Sequence, residues 1–129
     1  MYILVCTVDD KQYAFNLEQV LCTYQAVEIT PMIQGGTNIA GVINVHGEVV
    51  PVINMRQLLG LPNRPLDPKD RFVLCKHKGK NIALWVDTVC QVRTCDEKQV
   101  TTVENGKRIE AVLKDSDKLI HFFNLAEIT

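Results

Sequence analysis

The sequence predicts a mainly β chain built from two related halves, and three observations carry that prediction. Short apolar, β-branched runs recur along the chain with alternating polarity. Polar turns and Gly or Pro separate them at the places where strands must end. The second half also repeats the first. Leu4-Val5-Cys6 matches Val73-Leu74-Cys75 at a spacing of 69 residues, which also pairs Lys11 with Lys80, Ala14 with Ala83, Glu18 with Asp87 and Val20 with Val89. Gly41-Val42-Ile43 matches Ala111-Val112-Leu113 at a spacing of 70, and residues 49–55 match 119–125 at the same spacing, with Asn54 and Asn124 each closing a strand. One inserted residue accounts for the change of spacing. A near-constant offset across four strands favours duplication over chance alternation.

Each element follows from its residues. Residues 3–8 and 13–17 flank Asp9-Asp10-Lys11-Gln12 and form a hairpin. A third run, 20–27, ends at Ile29-Thr30-Pro31, because Pro removes a ladder donor. Gly35-Gly36 marks a loop, and its spacing, without a lysine, excludes a phosphate-binding loop. Residues 39–45 and 49–53 flank His46-Gly47-Glu48, a second tight hairpin. One or two helical turns follow over 54–60, capped by Asn54 and stopped by Gly60. Pro62, Pro65 and Pro68 make residues 61–70 a connector. The second half holds strands over 71–75 and 81–86 around His77-Lys78-Gly79-Lys80, then over 89–94. Strands over 108–114 and 119–123 follow, around Asp115-Ser116-Asp117. Each copy of about 60 residues carries about five short strands and a helical turn, the plan of a small barrel. The first barrel is expected from residues 1–60 with the C-terminal tail, and the second from 71–123.

Composition narrows the function. The chain has 129 residues, enough for one core without disulfides or metals. Fourteen Lys and Arg against fifteen Asp and Glu leave a net charge of −1, and aromatics are 6%, so nucleic-acid binding in a basic, aromatic groove ranks last among the readings. No apolar run is long enough for a membrane helix, and residues 1–10 lack the basic start and cleavage site of a signal peptide. Five cysteines (Cys6, Cys22, Cys75, Cys90 and Cys95) form no C-x-x-C pair and cannot all pair, as expected of a reducing cytoplasm. Cys6, Cys75 and Cys90 lie in apolar runs, where a free Cys acts as a small hydrophobe.

No catalytic constellation is present. There is no G-x-S-x-G, phosphate loop or H-E-x-x-H. Cys75 and His77 share one strand face but lack a second ligand pair, so no metal site is expected there. Asp9, Asp10, Asp67, Asp70, Asp115 and Asp117 sit in turns and are expected to be solvated. Trp85 is expected in a core. Lys76, Lys78 and Lys80 crowd one hairpin tip, as a soluble turn or a contact for an acidic partner. A protein without chemistry but with many sheet edges fits a binding module.

Residues 41–56 (Gly41-Val42-Ile43-Asn44-Val45-His46-Gly47-Glu48-Val49-Val50-Pro51-Val52-Ile53-Asn54-Met55-Arg56) resemble the CheW family of bacterial chemotaxis coupling proteins. That family's pattern is roughly G-V-x-N-x-R-G-x-x-x-P-h-x-D-L-R, with h apolar. Residues 13–20, 82–89 and 109–125 are similar to further blocks of the family in the same order, so the resemblance covers nearly the whole chain. It implies two five-stranded SH3-like barrels and a noncatalytic cytoplasmic adaptor without cofactor. The implied partners are the regulatory domain of a CheA-type histidine kinase and the cytoplasmic tip of methyl-accepting chemoreceptors, which lies in a groove between the barrels. Val20, Cys22 and Gly41 correspond to the kinase side, and Asn44, His46 and Gly47 to the receptor side; Pro51 and Arg56 are expected to shape the fold. Three positions depart from the pattern: His46 replaces the usual Arg, Cys22 an acidic residue, and Asn54 the D-L-R aspartate. Histidine cannot make arginine's bidentate fork. This loss points to a divergent coupling protein, and leaves a thiol or metal site at Cys22 and His46 as the alternative.

Overall fold

The computed structural model describes residues 1–32, 38–105, 108–115, 118–125 and 128, without the side chains of 105, 108–110 and 115. Strands β1 (Tyr2–Val8) and β2 (Lys11–Asn16) lead through a 3-10 turn, Leu17–Gln19, into β3 (Val20–Gln25). Strands β4 (Ile39–Val45) and β5 (Glu48–Asn54) are followed by the single-turn helix α1 (Met55–Leu58). The second half contributes β6 (Arg71–His77), β7 (Lys80–Val86), β8 (Thr88–Thr94), β9 (Val100–Asn105), β10 (Arg108–Asp115) and β11 (Lys118–Phe122). Three hairpins turn on two residues of positive φ: Asp9 and Asp10 (54° and 62°), His46 and Gly47 (50° and 85°), Lys78 and Gly79 (52° and 76°). Such turns match the right-handed twist of the strands they join. The Gly35-Gly36 loop and the centre of the 115–117 turn lie outside the described residues.

The strands form two sheets, ordered β8-β1-β2-β11-β10-β9 and β3-β6-β7-β5-β4. The sequence division at residues 61–70 is therefore not the division between the sheets. The β1–β2 hairpin leaves its own half to join β8–β11, and β6–β7 leaves the second half to join β3–β5. The exchange keeps the register of the repeat. Cys6 faces Val89 as Val20 faces Cys75, and the parallel pair Phe122 with Ala14 repeats Val52 with Ala83. Even the irregularity is shared: the ladder skips Cys90 in one sheet and Leu21 in the other. Identical pairing in both copies supports the duplication beyond any sequence match.

The first sheet has six strands rather than the expected five, because Val100–Asn105 pairs along β10. Among the described residues its counterpart in the first copy is a single bridge, in which the N–H groups of Thr30 and Val42 each donate to the other's carbonyl at 2.9 Å. The 100–105 run was missed because its apolar residues are only Val100 and Val103, among Thr, Glu and Asn.

The alternation of side chains explains why the central strands are buried on both faces. Ile3, Val5, Ala14, Leu113 and Ile120 form the core of the first sheet. Ile43, Val52, Phe72, Leu74, Ala83 and Trp85 form that of the second. The alternate residues Leu4, Cys6, Phe15, Val73, Cys75, Leu84 and Phe123 meet in a third core between the sheets. Burial raises the Cys6 and Cys75 thiols to about 12, so both stay protonated. Cys90 departs from the expected hydrophobe: on the bulge of β8 it is exposed.

Charges lock the same junction. Arg56, buried in the single turn of α1, donates to Asp87 at 2.5 Å and to Asp9 at 3.4 Å. Arg64 of the connector holds Asp70 through two bonds of 2.7 and 2.8 Å and Asp87 at 3.0 Å. The Trp85 indole N–H also donates to Asp70, at 2.9 Å. Asp70 is thus no solvated turn residue, being 2% exposed. Burial pushes its carboxyl up, but the bonds from Arg64, the Asp67 backbone and Trp85 outweigh this and hold it below its usual value.

Candidate partner-binding site

Asn44, His46 and Gly47 come together at the tip of the β4–β5 hairpin. The Gly47 N–H donates to Asn44 Oδ1 at 2.8 Å, which fixes the turn and leaves His46 exposed. The His46 ring leans on Tyr24 of β3, with centroids 6.5 Å apart and planes at 58°. β3 and β4 are the two edges of their sheet, so this contact shows the sheet curling round to bring its edges together. Tyr24, Gln25, Ile43, Asn44, His46 and Phe72 line a cleft of about 160 Å³ at that seam, with Val27 beside it.

Val20, Cys22 and Gly41 do not form one patch. The bulge at Leu21 turns Val20 toward the core between the sheets and Cys22 toward the core of its own sheet. Leu21 itself projects into solvent, 51% exposed. Gly41 is buried at a φ of +154°, where a Cβ would lie 2.3 Å from the Thr30 carbonyl oxygen and 2.7 Å from Ile29. Its lack of a side chain is what lets the 29–30 segment lie against β4.

Sequence reasoning missed Tyr24, which links the two departures from the family pattern. The Cys22 thiol, two residues away on β3, pushes the Tyr24 phenol up, while the Tyr24 ring meets His46. The spacing Cys22-x-Tyr24 on a strand was the available signal, since alternate residues share a face. A thiol or metal site at Cys22 and His46 finds no support in this geometry. Among the described residues no group of three or more His, Cys, Asp or Glu could hold a metal ion. The third departure keeps its function: Asn54 Oδ1 accepts from the Gln57 N–H at 3.1 Å and caps α1 as an aspartate would. Among the described residues no helix is long and apolar enough to cross a membrane.

Comparison with known proteins agrees with the motif. The chemotaxis protein CheW of Thermotoga maritima is 25% identical over 130 residues, covering 98% of this chain and 85% of that protein. CheW of Bacillus subtilis is 26% identical over 128 residues, covering 95% and 82%. The crystal structure of the scaffolding protein TtCheW from Thermoanaerobacter tengcongensis matches with a TM-score of 0.86 at 26% identity, covering 96% of this chain and 88% of that one. The family model described as CheW-like domain matches residues 2–129, and the chain belongs to that family of chemotaxis scaffold proteins.

Proposed function

We propose that this chain is a noncatalytic cytoplasmic scaffold that couples chemoreceptor tips to the regulatory domain of a CheA-type histidine kinase. The observation that carries the reading is the family match over residues 2–129, which takes in both sheets and the junction between them. The kinase side comprises the β3 edge, with Val20, Leu21 and Cys22, and Gly41 acts there by seating the 29–30 segment rather than by touching the partner. Asn44, His46 and Gly47 form the receptor side at the β4–β5 tip. His46 and Cys22 stand where the family pattern has an Arg and an acidic residue, so receptor choice differs from that of relatives with an arginine.

Calorimetric titration with the regulatory domain of a chemotaxis kinase from the same organism tests the first part. Binding is expected at micromolar strength. Leu21→Asp, which changes an exposed side chain, should weaken it about tenfold or more by desolvating a charge in an apolar contact. Absence of binding to any such kinase would overturn the coupling reading. For the second part, His46→Arg should raise affinity for receptors that bind arginine-bearing relatives. An unchanged affinity would remove the basis for altered receptor choice.

A further inference from the structure

The cleft at the seam between β3 and β4 reaches the core of its own sheet. Ile43 and Phe72, both buried in that core, form its floor, and the rings of Tyr24 and His46 wall it. Its volume of about 160 Å³ is below the roughly 300 Å³ at which sites for whole small molecules begin, so it suits one large side chain. Val27 stands at the mouth, and beyond it a more open groove of about 490 Å³ runs over Glu28, Thr30, Val42 and Val49. Val27, Ile43 and Asn44 line both, so cleft and groove are one continuous surface. Val27 is 53% exposed and Val49 66%, and uncovered aliphatic groups joined to a cleft mark an interaction surface. The residues between Met32 and Asn38 join the opposite end of β4, where the Asn38 carbonyl accepts from the Asn54 N–H at 2.7 Å, and they carry no charge.

The charge of this surface is one-sided. Residues 12–55, which supply β3, β4 and β5, contain Glu18, Glu28 and Glu48 but no Lys or Arg. Glu48 accepts from Asn81 Nδ2 at 3.1 Å, whereas Glu28 is exposed and makes no ion pair among the described residues. Among the described residues no Lys or Arg lines the cleft or the groove. An apolar socket beside an uncompensated carboxylate selects a segment that is both apolar and basic. We propose that the receptor tip seats one large aliphatic or aromatic side chain in the Tyr24–Phe72 cleft, while a lysine or arginine of the same segment pairs with Glu28. The aliphatic stem of that cation lies along Val27 and Val49. This deepens the receptor assignment of Asn44, His46 and Gly47 and rests on it, adding Tyr24, Val27 and Glu28 as the residues that set which segment fits.

The test is titration of the whole chain with the soluble cytoplasmic tip of a chemoreceptor from the same organism, followed by biolayer interferometry. Val27→Asp should weaken binding about tenfold or more, because a charge at the mouth of the cleft must be desolvated, and Val27→Ile should bind as the native chain does. Glu28→Lys should weaken it by a similar factor, since reversal turns attraction into repulsion. Glu28→Gln should weaken it less and leave binding less sensitive to salt, as the loss of one screened ion pair requires. Glu97→Lys, the same change of charge between β8 and β9, should have no effect. Val27, Glu28 and Glu97 are all exposed, and circular dichroism checks that the variants fold. If the native chain binds and either Val27→Asp or Glu28→Lys binds as tightly, the socket is overturned while the coupling role stands. Equal losses from Glu28→Lys and Glu97→Lys would overturn it too, because overall charge alone would then decide affinity. A native chain that binds no receptor tip would overturn the socket and the coupling role together.

Discussion

Asp70 shows how one residue can join distant parts of a chain. Its carboxylate receives Arg64 from the connector and Trp85 from β7, and its backbone carbonyl accepts from Ala26 beyond β3 at 2.9 Å. Asp70→Ala would leave the Trp85 N–H without its buried acceptor and Arg64 without its principal anion, at a cost of about 2–3 kcal/mol. Arg64 is partly exposed, which keeps the figure below that of a fully buried pair. Because the folded-state carboxyl lies below its ordinary value of about 3.9, its contribution is present above that pH and disappears as pH falls through the folded value. Thermal denaturation should therefore show the gap between the native chain and Asp70→Ala at pH 7 and its narrowing below about pH 4. A constant gap would show that Asp70 acts through shape rather than charge. The sequence did not reveal this, since an aspartate among prolines looks like a turn residue. Its buried partner lies fifteen positions away, on another strand.

The β4 strand carries the clearest lesson among the elements. Its hairpin with β5 was legible, because His46-Gly47 between alternating apolar runs is a strong turn signal. The outer edge of β4 was not, because the Thr30 bridge depends on a close approach that only Gly41 permits. Gly41→Ala places a methyl group inside the Thr30 carbonyl and should cost about 2 kcal/mol or more, from a strained φ and displacement of the 29–30 segment. Chemical denaturation measures the loss. Proton exchange at the Thr30 and Val42 amides should accelerate in the same variant, and unchanged exchange would show that the bridge does not depend on the glycine. At the candidate site the reach of sequence was similar. Asn44, His46 and Gly47 are neighbours in the chain and were identified together. Val20 and Cys22 were parted by a bulge that no alternation pattern announces, and Tyr24 gains its place from the curl of the sheet.

For the whole molecule, the repeat was visible at nearly constant spacing, but the exchange of hairpins between its copies was not. Local alternation determines which residues form strands; it does not say whether a hairpin pairs with its own half or the other, since the register is the same either way. The exchange has a direct test. Residues 1–69 lack β6 and β7, which lie between β3 and β5, while residues 70–129 lack β1 and β2. Each fragment alone should show no cooperative unfolding transition, whereas an equimolar mixture should recover the near-ultraviolet signal of Trp85. A fragment that folds alone would contradict the pairing described above.

The exchanged hairpins also bear on descent. A chain of half this length, carrying one copy of the repeat, would have had a hairpin with no strands of its own to complete. Two such chains could satisfy each other only by reciprocal donation, as a twofold-symmetric dimer whose folding depended on its abundance in the cell. Joining the copies end to end through a proline-rich tether replaces that second-order encounter with a fixed effective concentration. Once fused, the halves were free to diverge, as β9 beside β10 and the Thr30 bridge beside β4 show.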